Sequence, residues 1–317
     1  MKISPIIPLF FACDERYVPY LGVAVHSLIA NASTERRYRI HVLNTGISPL
    51  SQDRIATMAR PHVEIVFVDM QEAILPFMSC LPLRDYYTLS IYFRLFIPAM
   101  FPQYDKAIYL DCDMVVERDV AELFDIPLGA ALLGAVRDQV VADSPLLAAY
   151  VEDAVGVDAH TYFNSGMLLM NLAGLREVDI EGQFSSLIAQ YNFPTVAPDQ
   201  DYLNRLAFGR VKLLSSAWNT MYSKEPQMGP HYIIHFNMFD KPWLYEGVTH
   251  EERFWHYAKT SPFYPEICTI RDSYTDGERA RDADAGLAML DQAESILLGD
   301  HSFVAHLGSL VKGRAVV

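Results

Sequence analysis

Two aspartates that follow a run of apolar residues could hold a divalent cation. Residues 107–110 (AIYL) predict a buried strand, and Asp111, Cys112 and Asp113 follow it directly. Because side chains alternate along an extended backbone, Asp111 and Asp113 share one side and Cys112 takes the other. Carboxylate oxygens suit Mg²⁺ and Mn²⁺, and both ions leave positions open for phosphate oxygens. The same pattern also occurs as a solvated acidic turn, so further residues must support a metal site.

The elements that would position this pair alternate along the chain. Residues 6–12, 38–44 and 63–68 predict strands, whereas apolar residues recur at helical spacing within 18–29 and 51–59. Alternating strands and helices predict right-handed crossovers and a mostly parallel α/β sheet. Such sheets bind ligands at the carboxyl ends of their strands, which is where the two aspartates lie.

Two apolar segments carry polar residues that could reach the same edge. Arg94 is the one charged residue in the predicted helix 89–100, so it needs an acidic partner or must extend its head to water. The partner is either a structural carboxylate or an acidic group at the site. Asn164 and Ser165 lead into an apolar strand, where they form a turn or present an amide and a hydroxyl to a ligand.

Two further segments carry polar residues at the start of a helix and at the end of a strand. Asp199, Gln200 and Asp201 begin a predicted helix, and helix capping alone explains such residues. As a site, they would place two carboxylates and an amide in one turn. His235 ends a short predicted strand and Lys241 follows it closely, although a single histidine is usually structural.

The composition excludes several classes of protein. The 317 residues are 51% hydrophobic and 20% charged, as expected of a chain with a folded core. The net charge of −14 argues against a nucleic-acid partner, because binding a phosphate backbone needs clustered Lys and Arg. The four cysteines form no CxxC pair, which fits a reducing cytosol. No long apolar run and no convincing signal peptide occur, so we expect a cytoplasmic protein with at most peripheral membrane contact.

The pattern changes after residue 248, and residues 249–317 predict a helical extension. Its polar stretch 273–284 predicts a linker. The expected helices span 251–260, 285–298 and 302–311. From Arg271 to Val317 the chain has five Lys or Arg and eight Asp or Glu, so it offers no basic face to an anionic membrane. We expect the extension to pack on the body or to form a homodimer.

Six segments of the chain together resemble one known enzyme family. They cover roughly residues 6–245 and read FFACDERYVPYLGVAVHSL, IYFRL, YLDCDMVV, YFNSGMLLMNL, PDQDYLN and HFNMFDKPW. In this order they are similar to glycosyltransferase family 8, the retaining group that includes bacterial lipopolysaccharide galactosyl- and glucosyltransferases and glycogenin. The resemblance implies a GT-A fold, with a Rossmann-like sheet flanked by helices. Residues 1–248 would form the catalytic domain, with a nucleotide-binding part before an acceptor-binding part.

The resemblance implies a site for a UDP-sugar and Mn²⁺, with Mg²⁺ as the alternative ion. Asp111 and Asp113 match two metal ligands, and His235 matches the third. Lys241 matches a cation that meets the diphosphate. The family positions that contact uracil and ribose correspond to Ala12, Asp14 and Tyr17. The full set implied to bind the substrate is Ala12, Asp14, Tyr17, Arg94, Asp111, Cys112, Asp113, Asp138, Asn164, Ser165, Asp199, Gln200, His235 and Lys241.

The candidate catalytic residues are Gln200, Asp199 and Asp201. Gln200 matches the residue nearest the anomeric carbon, and Asp138, Asn164 and Asp199 match positions that hold the sugar hydroxyls. An amide is a poor covalent nucleophile, so a double displacement would use Asp199 or Asp201. We favour a same-face attack in which Gln200 gives electrostatic support to the oxocarbenium-like sugar. The sequence leaves both mechanisms open.

Three positions depart from the pattern of the family. Arg16 stands where the lipopolysaccharide enzymes often have Asn, which leaves the ribose contact there open. Met238 stands where a Gly usually follows the histidine, and Gly lets the backbone approach a phosphate. We therefore expect this loop to differ or to lie further back. Phe93 is bulkier than the usual small residue, which we interpret as packing.

The implied activity is transfer of galactose or glucose to a saccharide or glycolipid acceptor, such as lipopolysaccharide or another cell-surface glycan. The alternative on the same fold is a self-glucosylating primer or scaffold protein of the glycogenin kind. It needs an acceptor tyrosine on its own surface, and the chain has 18 tyrosines. A Rossmann dehydrogenase is disfavoured because no GxGxxG motif follows the first strand.

Overall fold

The computed structural model of the chain describes residues 5–78, 81, 89–221 and 229–311. Nine strands lie in these residues: β1 (Ile6–Ala12), β2 (Arg37–Asn44), β3 (Val63–Asp69), β4 (Lys106–Leu110), β5 (Met114–Val116), β6 (Leu133–Arg137), β7 (Phe163–Asn171), β8 (Val211–Leu213) and β9 (Ile233–His235). Seven form one sheet in the order β3-β2-β1-β4-β7-β6-β8, and β5 pairs with β9. Among the described strands of the large sheet only β7 runs antiparallel, which confirms the predicted mostly parallel α/β fold.

Helices flank this sheet. Up to β7 they are α1 (Val18–Asn31), α2 (Pro49–Ala56), α3 (Gln71–Ile74), α4 (Phe93–Met100), α5 (Val120–Phe124), α6 (Gln139–Asp143) and α7 (Pro145–Tyr150). After β7 they are α8 (Leu172–Glu177), α9 (Ile180–Gln190), α10 (Pro198–Leu206), α11 (Glu251–Ala258), α12 (Tyr264–Ser273), α13 (Asp276–Leu298) and α14 (Phe303–Leu307). Short 3₁₀ turns span Glu15–Tyr17, Leu75–Phe77, Leu89–Tyr92 and Ser216–Asn219, and a π turn spans Val151–Val155.

An apolar core lies on each face of the sheet. Phe10 and Tyr109 face one core, whereas Leu9 and Ile108 face the other. Strands β1 and β4 are therefore buried on both sides, as central strands of a parallel sheet are. Leu9 pairs with Ile108 across the two strands, which brings their carboxyl ends side by side.

The helices after residue 248 pack on both faces of the body. Phe254 of α11 and Phe263, just before α12, join the core that contains Leu9. Ala293 of α13 and Phe303 of α14 join the core that contains Phe10. The extension thus packs on the body, while a domain boundary at 248 and a homodimer stay predictions. Within the described ranges, no helix combines the length and apolar character needed to cross a membrane.

The predicted linker at 273–284 is wrong, because helix α13 runs unbroken from Asp276 to Leu298. Its first turn carries a capping box. The Thr275 side chain accepts from the Glu278 backbone N–H, and the Glu278 side chain accepts from the Thr275 N–H. These reciprocal bonds satisfy two backbone donors at the helix start. The polar composition that suggested a linker belongs to a solvated helical surface.

Candidate functional site

A cleft of about 740 Å³ opens at the carboxyl ends of β1 and β4. Its wall contains all fourteen residues that the resemblance assigned to substrate binding. Of the three candidate catalytic residues, Gln200 and Asp199 line the cleft and Asp201 does not. The sequence-predicted residues therefore converge on one site, although their roles stay predictions.

Asp111, Asp113 and His235 meet at the centre of this cleft. The two aspartates follow β4, and β9 brings His235 to them because Met114 on β5 pairs with His235. One ligand atom from each residue lies within 4.8 Å of the other two. His235 Nε2 is 3.1 Å from Asp113 Oδ1 and 3.9 Å from Asp111 Oδ2. The geometry suits one shared cation.

Each aspartate directs one oxygen to a positively charged side chain and the other to the position where a shared metal ion would lie. Asp111 Oδ1 accepts from Arg94 Nη2 at 2.8 Å and from the Tyr109 hydroxyl at 2.9 Å. Asp113 Oδ2 accepts from Lys241 Nζ at 2.6 Å. Asp113 Oδ1 is buried and has no hydrogen-bond partner among the described residues. A buried oxygen without a donor is costly, and a bound cation would satisfy it.

The charges of this cluster support ionised ligands. Burial acts to raise the pKa of Asp113, but positive charge beside it, that of Lys241 first, outweighs burial and holds the pKa below its ordinary value. Burial likewise acts to lower the pKa of Arg94, and the carboxylates of Asp111 and Asp199 more than offset it. Both groups therefore keep their charges, and an ionised Asp113 is what a cation site requires.

A chain of side-chain amides fixes the tautomer of His235. The Asp138 carboxylate can only accept, so Asn164 donates to it through Nδ2 at 3.3 Å. Asn164 Oδ1 then accepts from Asn219 Nδ2 at 2.9 Å. Asn219 Oδ1 in turn faces His235 Nδ1 at 3.0 Å, so Nδ1 donates to it and Nε2 is the nitrogen that can offer a lone pair to a cation. This is the form that a metal ligand needs.

A buried polar network also lines the cleft. Asp138 Oδ2 accepts from Gln200 Nε2 at 3.0 Å, and Gln200 Oε1 accepts from the Ser165 N–H at 2.9 Å. Asp199 Oδ2 accepts from the Ser165 hydroxyl at 2.8 Å and lies 3.3 Å from Arg94 Nε. Burial raises the pKa of Asp199, against the effect of Arg94. These oriented donors and acceptors can bind the hydroxyl groups of a sugar.

Asp201 does not reach the cleft, which corrects the expectation that it could serve as a nucleophile. Its side chain is fully buried, and its oxygens accept from the hydroxyls of Tyr150 at 2.7 Å and Tyr162 at 2.6 Å. It also accepts from the Ala197 N–H at 3.1 Å. Its carboxylate therefore joins α10 to α7 and to the residue before β7.

Asp201 leads to a prediction about stability and pH. Burial raises the pKa of Asp201 from 3.8 to about 6, so the folded protein holds this proton more tightly than the unfolded chain does. Ionisation then lowers stability as pH rises from about 4 to 6. Because one pKa unit corresponds to about 1.4 kcal/mol, the loss between pH 4.5 and 7.5 is about 2 kcal/mol.

Asp201→Asn removes this titration. In urea unfolding, the stability of the variant relative to wild type should therefore rise by about 2 kcal/mol from pH 4.5 to pH 7.5. If the free energies of unfolding of variant and wild type differed by the same amount at pH 4.5 and pH 7.5, the prediction would be contradicted.

The cleft wall also contains the residues expected to hold the nucleotide. Asp14 Oδ1 accepts from the Tyr17 N–H at 3.1 Å, and Cys112 Sγ donates to the Ala12 carbonyl at 3.1 Å. Burial and then Asp113 raise the pKa of Tyr17, so its hydroxyl stays protonated. Arg16 is exposed at the cleft mouth, with Nη2 3.4 Å from Asp14 Oδ2.

The loop around Met238 was expected to differ from that of the family or to lie further back, and this stays a prediction. Met238 has φ of 58°, the left-handed region that Gly favours. The chain thus keeps a glycine-like backbone with a methionine in place, at a cost of about 1–2 kcal/mol. Phe93 is buried in the core, as expected of a packing residue.

Met238→Gly and Met238→Ala test this strain. Both remove the side chain, and only glycine relieves the left-handed backbone. Relief of the left-handed backbone should stabilise Met238→Gly relative to Met238→Ala by about 1–2 kcal/mol. The greater freedom of glycine in the unfolded chain offsets about 0.5–1 kcal/mol of this gain, so we expect a net difference of about 1 kcal/mol. Thermal and urea unfolding measure the difference, and equal stability would show that the backbone is unstrained.

Several residues of the site escaped the sequence analysis. Gly166 lies against Asp111 and His235 in the cleft, and Asn219, behind the cleft wall, contacts the ring of His235. Arg281, Ala285 and Met289 recur every four residues along α13 and line the cleft. The asparagine and the three α13 residues have no local motif, whereas Gly166 lies in the polar step before an apolar strand and could have been considered.

Comparison with known proteins identifies the family. Residues 8–247 match Glycosyl transferase family 8. A putative glycosyltransferase of Haemophilus influenzae is 29% identical over 217 residues, which are 68% of this chain and 64% of that protein. The lipopolysaccharide 1,2-glucosyltransferase of Escherichia coli is 22% identical over 264 residues, which are 77% of this chain and 74% of that protein.

Two solved structures have the same fold. The galactosyltransferase LgtC, solved with donor and acceptor sugar analogs, has a TM-score of 0.69 and 29% identity over 81% of this chain and 96% of its own. The WbbM bifunctional glycosyltransferase has a TM-score of 0.71 and 25% identity, and the match covers 86% of this chain and 52% of WbbM. The match spans less than two thirds of the H. influenzae protein and about half of WbbM. The chain has the GT-A fold and belongs to glycosyltransferase family 8.

Proposed function

We propose that the protein moves galactose or glucose from a UDP-sugar to a saccharide or glycolipid acceptor, with retention of configuration. The observation that carries the proposal is the convergence of Asp111, Asp113 and His235 in one cleft. The names of the E. coli glucosyltransferase and of LgtC support a hexose donor and a cell-surface glycan acceptor. A cytoplasmic location stays a prediction, and a self-glucosylating primer stays the alternative.

The residues of the triad fit a divalent cation. Two carboxylates suit Mn²⁺ or Mg²⁺, Nε2 of His235 is available as a lone pair, and Asp113 Oδ1 lacks any other partner among the described residues. We assign Mn²⁺ to Asp111, Asp113 and His235, with Mg²⁺ as the alternative. When bound, the cation would act as a Lewis acid toward the charge of the leaving diphosphate.

Two protein cations would add fixed positive charge beside the diphosphate. Lys241 is buried and already lies against Asp113, and buried Arg94 lies against Asp111 and Asp199. Both are held by short contacts before any ligand arrives, so they need little reorganisation. Such preorganised charge is most effective where water is excluded.

The polar network would hold the sugar for a same-face attack. In this step the acceptor oxygen bonds to the anomeric carbon, the carbon–phosphate oxygen bond breaks, and the acceptor proton passes to the leaving phosphate. Gln200 would stabilise the positive charge that develops on the sugar. Asp199 is less suited to a double displacement, because its Oδ2 is already bound by Ser165 and lies near Arg94.

Isothermal titration of UDP with and without Mn²⁺ tests the proposal. We expect binding that depends on Mn²⁺, and undetectable binding in saturating Mn²⁺ would refute it. Slow hydrolysis of a panel of UDP-sugars would then identify the donor hexose, because water replaces the unknown acceptor.

A further inference from the structure

Helix α13 lies outside the residues that match the family, yet it contacts the loop that carries Lys241. The match ends at residue 247, and α13 begins at Asp276. Arg281 and Asp282 line the same cleft as Lys241. A Cβ added at Gly286 would lie 3.6 Å from the Phe239 ring, so the helix passes close to this loop.

Specific bonds join the helix to this loop. The Tyr245 hydroxyl donates to Asp282 Oδ2 at 2.7 Å. Arg279 Nη1 donates to the Leu244 carbonyl at 2.8 Å, and its guanidinium lies 5.0 Å from the centre of the Tyr245 ring. A hydrogen bond to a carboxylate is among the stronger contacts that two side chains make.

The same loop residues hold the backbone of Lys241. The N–H groups of Leu244 and Tyr245 both donate to the Lys241 carbonyl at 2.9 Å. At the other end of the side chain, Lys241 Nζ donates to Asp113 Oδ2 at 2.6 Å. The path from Asp282 to Asp113 is therefore a continuous series of hydrogen bonds through Tyr245 and Lys241.

We propose that Tyr245 and Asp282 are positioning residues that hold Lys241 at the diphosphate. This inference rests on the proposed function, because it assigns the diphosphate to Lys241. It extends the site to α13. The loop between His235 and Lys241 contains the strained Met238, so an external support for its far end has a physical reason.

Tyr274 supplies a matched control. Its hydroxyl donates to the same oxygen, Asp282 Oδ2, at 2.5 Å, and it lies between α12 and α13. Its ring packs edge-on against the Tyr245 ring, with 5.9 Å between the ring centres, and Tyr274→Phe keeps this contact. Tyr245→Phe and Tyr274→Phe each remove one hydroxyl and leave every charge unchanged. A purely structural role predicts that both variants lose stability and that neither changes UDP affinity.

Isothermal titration of UDP in saturating Mn²⁺ separates the two roles. We expect Tyr245→Phe to weaken UDP binding about three- to tenfold, as expected for one lost hydrogen bond, and Tyr274→Phe to bind as wild type does. In a Lys241→Met background, Tyr245→Phe should have no further effect, because its path ends at Lys241.

The outcomes are distinct. If wild type binds UDP and Tyr245→Phe binds it equally well, the inference is refuted and the proposed function stands. The inference is also refuted if Tyr274→Phe weakens UDP binding as much as Tyr245→Phe does. It is refuted likewise if Tyr245→Phe weakens UDP binding as much in the Lys241→Met background as in wild type. If wild type fails to bind UDP in Mn²⁺, the proposed function and the inference both fail.

Discussion

Asp113→Asn is expected to remove Mn²⁺-dependent binding of UDP almost completely. The change keeps the shape of the side chain and removes the charge of a proposed metal ligand. Asp113 Oδ1 faces His235 Nε2 at 3.1 Å and has no hydrogen-bond partner within the described residues. Loss of a group that only orients a ligand costs 10–100-fold in metal affinity, so loss of a ligand should cost more than about 100-fold.

The same substitution also leaves the Lys241 ammonium without its carboxylate. Lys241 is buried, so the unpaired charge should lower the stability of the variant, on the order of 3 kcal/mol. Urea unfolding therefore accompanies the titration, to show that any loss of binding occurs in folded protein.

Asp105→Asn is the matched control. Asp105 lies just before β4, at the end opposite Asp111, and its side chain is 89% exposed. Neither UDP affinity nor Mn²⁺ dependence should change in this variant. If folded Asp113→Asn bound UDP with the same Mn²⁺ dependence as wild type, the assignment of the triad would be wrong.

The sheet was predictable because its strands have strong local patterns. The residues of β1 are almost all apolar, and this composition by itself indicates a strand buried on both faces. The carboxyl ends of parallel strands lie at one edge, so the order of strands and helices along the chain suffices to place Asp14 near the two aspartates after β4. The resemblance carried by the six motifs then predicted that His235, 122 positions beyond Asp113, lies at the same site.

Asp201 could have been separated from Asp199 by helix geometry alone. Both lie in the first turn of α10. Residues two apart on a helix point about 200° away from each other, because each residue turns the helix by about 100°. Asp199 faces the cleft and Asp201 therefore faces the core, where it accepts two tyrosine hydroxyls.

The contribution of Asn219 and of α13 could not be predicted from local patterns. Asn219 acts through Asn164, 55 residues away, and His235, 16 residues away, in contacts that only the folded chain creates. The start of α13 is polar on most sides, and its register in the cleft depends on Ala293 and Ile296 in the core. Tertiary packing decides both.

Gly166→Ala is the second substitution that should disable the site. A Cβ at Gly166 would lie 2.4 Å from His235 Cε1, 2.7 Å from Asp111 Oδ2 and 3.0 Å from Asn164 Oδ1. Real Cβ atoms do not approach other atoms so closely, so the ring or the carboxylate must move. Either shift separates the atoms that would share the cation.

We expect Gly166→Ala to weaken Mn²⁺-dependent UDP binding by at least about tenfold, the lower limit for disturbing the support of a metal ligand. Overpacking should also lower stability by about 1–3 kcal/mol. Gly277→Ala makes the same change in the first turn of α13, where the nearest atom that a Cβ would meet is 3.9 Å away. It should bind UDP as wild type does. Equal UDP affinity in the two variants would mean that the triad tolerates a methyl group at its centre, which no shared cation site of this geometry could.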